Sequence, residues 1–181
     1  MQPTLTTARL TLRPYTLDDA ASVQRLAADQ RVANTTIHIP HPYPDGVAES
    51  WIKQHSQTFE AGTVVTFAVV LREQGDLVGT VSFLDLSALH ARAELGYWIG
   101  VPYWGNGYCT EAVECLIRFA QEHLAVTRIV ARCFARNHAS ARVMEKAGLT
   151  QEGRLVAHIL KNAQYEDMLL YGLVLPGRSG A

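Results

Sequence analysis

Three apolar runs in close succession do most to limit what this chain can fold into. "TVVTFAVVL" (63–71) and "LVGTVSFLDL" (77–86) are rich in β-branched residues and are joined by "REQGD", a hairpin-like connector containing Gly75. "AELGYWIGV" (93–101) is a further strand, and the three together predict an antiparallel meander. Helical periodicity follows at once, with Ala112, Cys115, Leu116, Phe119 and Ala120 on one face. "TRIVARCF" (127–134) then alternates as a strand. A strand–helix–strand unit over 93–134 predicts a right-handed crossover between parallel strands.

The flanks add to this frame. "RLTLRPY" (9–15) reads as a half-buried strand, and Thr16 to Asp19 as a capping-box start for a helix burying Ala20, Val23, Leu26 and Ala27. "IHIPHPYPDG" (37–46) has three prolines and a glycine, so an irregular loop is expected. Asp45 is expected to cap a second helix with Ala48, Trp51, Ile52 and Phe59 as its stripe. "NHASARVMEKAGL" (137–149) reads as a short helix stopped by Gly148, and 153–175 as two strands around "KNAQ". The expectation is a mixed α/β (α+β) domain over 1–175 with about four helices, and a frayed tail over 176–181.

Composition narrows the function. A chain of 181 residues, 48% hydrophobic and 18% charged, can bury one ordinary core. A net charge of −1 leaves no footprint for nucleic acid. No apolar run is long enough for a bilayer, and "MQPTLTTARL" lacks the pattern of a secretory signal. Three cysteines, Cys109, Cys115 and Cys133, lack zinc-type spacing, which suggests a reduced, cytoplasmic setting. No metal site is expected: His38 and His41 have no carboxylate or thiolate nearby in sequence.

The sharpest local feature is "VPYWGNGYCTEAV" (101–113), where Gly105 and Gly107 sit between a strand and a helix. Such a turn is either a simple connector or an anion cradle, since the first N–H groups of a helix are unpaired and face outward. It is not a Rossmann fingerprint, because Thr110 stands where a third glycine belongs, and it has no P-loop Gly-Lys.

Read together, "AELGYWIGVPYWGNGYCTEAV", "N..S..VMEKAGL..EG" and "Y.D..LYGL" resemble the GNAT superfamily of acetyl-CoA-dependent N-acetyltransferases, in its RimJ/RimL branch. The resemblance spans most of residues 8–175. It implies a mostly antiparallel central sheet with a parallel pair that splays apart, the cofactor entering the splay. Pro102 departs from the Gln/Arg that usually opens the family's glycine motif.

By this resemblance Ile99 to Val101, with Gly100 between them, match the strand end that pairs with the pantetheine amides, and Trp98 beside them is a further cofactor-binding candidate. Trp104, Gly105, Asn106, Gly107, Tyr108, Cys109 and Thr110 match the pyrophosphate loop. Asn137 matches a cofactor-contacting Asn, and also suits an N-cap with Ser140 at N3. Glu94 is the first candidate for general base, with a solvent-facing edge carboxylate as the plain alternative. Ser140 is the candidate acid because it matches a Ser at this position in RimL-like enzymes, with a helix-surface hydroxyl as the plain alternative; Met144 stands where many relatives carry a Tyr. "LVAHIL" lacks the Glu of some RimL-like proteins, which brings in His158 as a second base or as a structural histidine. A thiol at a helix N-terminus, like Cys109, can have a depressed pKa and could carry the acetyl group, although the family transfers directly.

His41, Tyr43 and Trp51 are the candidates for the acceptor wall. The implied reaction is direct acetyl transfer from acetyl-CoA to a primary amine, at a protein or peptide N-terminus as in RimJ/RimL enzymes. A small amine (polyamine, amino-acid-like compound or antibiotic) or a non-catalytic acyl-CoA sensor are the rival readings. A homodimer rests on family analogy alone.

Overall fold

The computed structural model describes residues 1–176, so the predicted tail from residue 177 onward lies outside the described residues. The element order is β1 (Leu5–Thr6), β2 (Leu10–Arg13), α1 (Ala20–Ala27), α2 (Gln30–Thr35), α3 (Val47–Lys53), α4 (His55–Glu60), β3 (Val65–Leu71), β4 (Leu77–Ser87), β5 (Arg92–Ile99), α5 (Tyr108–His123), β6 (Arg128–Phe134), α6 (His138–Lys146), β7 (Thr150–Lys161) and β8 (Gln164–Val174). The strands form one sheet in the order β1-β2-β3-β4-β5-β6-β8-β7. All pairings are antiparallel except β5 with β6. The expected meander is therefore β3-β4-β5, and the expected parallel pair is β5-β6, joined through α5.

Two apolar layers cover the sheet. Val81, Phe83 and Leu95 pack with Val113, Leu116 and Ile117 of α5 and Met144 of α6. Ala68, Val70 and Leu77 pack on the other side with Val23 and Leu26 of α1 and Ala48 and Ile52 of α3. Double coverage explains why β3 and the first seven residues of β4 are buried without interruption and read as continuous apolar runs.

Some local expectations are corrected. The described residues hold six α-helices, not about four. The second predicted helix is broken at Gln54 into α3 and α4, and α2 is a single short helix capped by the Asp29 carboxylate accepting from Arg31 N–H at 2.9 Å. Asp45 does not cap α3. The N-cap is Gly46, at φ +79°, and Asp45 accepts from Gln24 Nε2 at 2.6 Å instead. The β7–β8 turn, Asn162–Ala163, has positive φ at both residues, which suits the twist of a tight hairpin.

Candidate active site

The parallel pair opens the site. β5 and β6 are paired only from Arg92↔Arg128 to Leu95↔Ala131. Beyond that point β5 stays on β4 as far as Ile99, while β6 stays on β8 through Phe134. The two strands thus part company after Leu95 and Ala131, each still held by its other neighbour. Gly100 N–H donates to Val78 O at 2.8 Å, and alternation along β5 then turns the peptide groups of Tyr97 and Ile99 toward the gap. A cleft of about 670 Å³ occupies this gap and reaches both faces of the sheet.

On the α5–α6 face the cleft is shaped for an anion. Gly105 and Gly107 both lie in the left-handed region, at φ +80° and +79°, and Gly107 is the N-cap of α5. The first helical bond is Glu111 N–H to Gly107 O, which leaves the N–H groups of Tyr108, Cys109 and Thr110 to point out of the helix. A Cβ on Gly105 would meet no protein atom within 4 Å, so the space over the loop is open. Arg9 braces the loop from behind: it donates to Asn106 O at 2.9 Å, pairs with Glu111 and lies over the Tyr108 ring. Arg142 and Lys146, one turn apart on α6, line the same end and form no ion pair among the described residues. Free helix N–H groups, the open space at Gly105 and two cations fit the diphosphate and phosphate charges of an acyl-CoA.

The neck of the cleft carries two hydroxyls. Asn137 Oδ1 caps α6 by accepting from Ser140 N–H at 3.1 Å, as its sequence position predicts. Its Nδ2 donates to Thr35 O at 3.4 Å. Ser140 Oγ lies 2.8 Å from the Tyr97 hydroxyl. Burial pushes the Tyr97 pKa well above the usual phenol value, so the phenol keeps its proton at neutral pH. Cys109 is not an activated thiol. Burial pushes it up to about 12, overriding its place at the start of α5.

On the α1–α3 face, register sets Thr80 opposite Trp98, Ser82 opposite Gly96 and Leu84 opposite Glu94. Glu94 lines the cleft, and Arg132 of β6 grips its carboxylate from across the gap, with Nη2 at 2.8 Å and Nε at 3.0 Å from Oε1. Tyr43, Trp51, Ile37 and Ile39 complete this end.

Several predicted residues fall elsewhere. His41 is exposed and does not line the cleft, and neither does His158, which is exposed beside a register break in β7 between Leu155 and Ile159. Trp98 lines the cleft, but its side chain packs with the α1–α3 layer and not on the phosphate side. Gly100 and Val101 do not line it. The Gly100 carbonyl accepts from Tyr103 N–H, the Val101 carbonyl from Trp104 N–H, and Trp104 Nε1 takes the Ile99 carbonyl at 2.6 Å. Asn106 shapes the loop by donating to Tyr103 O and Trp104 O. Tyr97 and Arg132 are functional candidates the sequence reading missed. No cluster of potential metal ligands occurs among the described residues.

The acetyltransferase (GNAT) domain family model matches residues 9–150. The uncharacterized N-acetyltransferase YoaA of Bacillus subtilis is 29% identical over 176 residues, covering 97% of this chain and 99% of its own. The ribosomal-protein-serine acetyltransferase of Escherichia coli is 29% identical over 103 residues, covering 57% of this chain and 58% of its own. The solved structure of the RimL ribosomal alpha-N-protein acetyltransferase in complex with coenzyme A shares the fold, with a TM-score of 0.88 at 17% identity over 96% of this chain and 98% of that one.

Proposed function

The chain belongs to the GNAT acetyltransferases, and from that premise we propose that it transfers the acetyl group of acetyl-CoA directly to a primary amine, the α-amine at a protein or peptide N-terminus. The observation that carries this reading is the splay after Leu95 and Ala131, with the glycine loop and α5 N-terminus on one side and Glu94 on the other. The ribosomal-protein acetyltransferase among the relatives supports the choice of acceptor.

Acetyl-CoA, as the second substrate, supplies the acyl thioester. The N–H groups of Tyr108, Cys109 and Thr110 hold its diphosphate, with Arg142 and Lys146 for the remaining phosphate charge. The gap-facing N–H groups of Tyr97 and Ile99 are placed to polarise the acyl carbonyl. An α-amine has a pKa near 8, against about 10.4 for lysine, so it needs little help to become neutral. Glu94 takes its proton, directly or through one water, while Arg132 keeps the carboxylate in place. As the new N–C bond forms and the C–S bond breaks, the thiolate needs a proton. Ser140, aligned by its 2.8 Å contact with the Tyr97 hydroxyl, delivers it and regains a proton from solvent, while the amine's proton leaves through Glu94.

The test is thiol release on mixing the protein, acetyl-CoA and short peptides with free or blocked N-termini. Release with free peptides only, lost in Glu94→Gln, is the expected result. Equal release from blocked peptides sinks the α-amine assignment.

A further inference from the structure

Charge and hydrogen bonding at the acceptor end restrict what carries the amine. Glu94 is the single carboxylate among the cleft-lining residues, and Arg132 already neutralises it. Glu49 is near enough to Tyr43 for its charge to add to the burial that raises the phenol's pKa, and its Oε2 is buried without a hydrogen-bond partner, but it does not line the cleft. Four of the hydroxyls on this side are also engaged. Thr80 bonds to Tyr15 at 2.6 Å, Ser82 donates to Thr66 at 3.2 Å, and Thr35 and Thr36 donate to Val32 O. What remains for a ligand is mostly apolar, the side chains of Ile37, Ile39 and Leu84 and the ring faces of Tyr43, Trp51 and Trp98, with the Tyr43 hydroxyl and the His38 ring as its polar groups.

This wall is also fixed in place. Lys161 Nζ, at the end of β7, donates to Ile37 O and Ile39 O at 3.3 Å each. Arg136 donates to Asn34 O at 2.8 Å while pairing with Glu166. The loop spends its carbonyls on these cations and leaves the two isoleucine side chains in the cleft.

We infer that the acceptor is a single amine borne on an apolar body: an α-amine whose own side chain is aliphatic or aromatic. This rests on the acetyltransfer reading and sharpens it. A polyamine brings further positive charges, and no second carboxylate lines the cleft to meet them. An aminoglycoside brings several ammonium groups and many hydroxyls to a wall that offers few polar groups. Specificity then comes as much from what the wall cannot satisfy as from what it contacts.

The experiment compares acetyl transfer, followed by mass spectrometry, to peptides differing only in the first residue (Leu, Phe, Asp or Lys), to spermidine and to kanamycin. The Leu and Phe peptides should exceed every other acceptor by at least about tenfold in kcat/KM, the effect of one or more methylenes in an apolar pocket. Ile39→Asp, on the loop, should erase that preference and favour the Lys peptide, and Ile37→Asp should do the same. Preferential transfer to spermidine, kanamycin or the Asp peptide overturns the apolar acceptor while leaving acetyltransfer intact. Transfer to none of them, with acetyl-CoA binding intact by calorimetry, overturns the acetyltransfer reading and this inference with it.

Discussion

His55 should give this protein a specific acid sensitivity. Its ring is packed edge-on against Trp51 at 4.3 Å between centroids and tilted against Tyr15 at 5.3 Å, and neither ring nitrogen has a hydrogen-bond partner. Burial without a partner disfavours the charged form and lowers the His55 pKa from 6.5 to about 4. The unfolded chain then binds the proton more readily between those values. Stability contributed by the neutral ring is complete above pH 6.5 and is lost as pH falls toward 4. A depression of this size corresponds to at most about 3 kcal/mol. Urea unfolding of wild type and His55→Phe across pH 7 to 4 isolates the contribution, because every other titrating group is common to both. The variant should match or exceed wild type at pH 7, where no hydrogen bond is lost, and its stability should fall less on acidification. Equal slopes for the two proteins would show that His55 is not held neutral. A large loss at pH 7 would show that its nitrogens do have partners.

Three further outcomes follow from the site and its supports. Gly105→Ala places a Cβ in open space at φ +80°, so it should cost only about 1–2 kcal/mol of stability, less for Gly105→Asn. Both should weaken acetyl-CoA binding in calorimetry, and unchanged affinity would reduce the loop to a turn. Tyr97→Phe should lower kcat with little change in peptide KM, and combining it with Ser140→Ala should cost about a hundredfold; a purely structural pair would move Tm and leave kcat of the folded protein alone. Burial alone would raise the Asp19 carboxyl, but hydrogen bonds from Arg13 and Thr16 N–H, with the Arg13 charge, outweigh it and hold it below the usual range. Its stabilisation is present above pH 4 and lost as pH falls through the lowered value, and denaturant melts of Asp19→Asn at pH 7 should show a loss of about 2 kcal/mol.

The parts of this site that could be read from the sequence are those set by local chemistry. The β-branched runs became β3 and β4, the stripe from Ala112 to Ala120 became the buried face of α5, and Asn137 capped α6 onto Ser140 as its spacing implies. The parts that could not be read are contacts across the gap. Glu94 meets Arg132 across 38 positions, and Tyr97 meets Ser140 across 43. Alternation along β5 puts Glu94, Gly96 and Trp98 on one face and Tyr97 on the opposite one. Its tyrosine hydroxyl on a strand leading into the loop was the available signal. The face on which His158 falls does not follow from strand alternation, because the β7 register breaks between Leu155 and Ile159. Cys109 shows burial outweighing a helix terminus, a balance that only the packed structure sets.

The central claim is that the cleft opened by β5 and β6 carries an acetyl group from acetyl-CoA to an amine. Mass spectrometry of a Leu-initiated peptide after incubation with the protein and acetyl-CoA measures it directly. One added acetyl group on the α-amine and one free thiol released per peptide modified are expected, both lost in Glu94→Gln. Thiol release without peptide modification, or modification undiminished in Glu94→Gln, would contradict it.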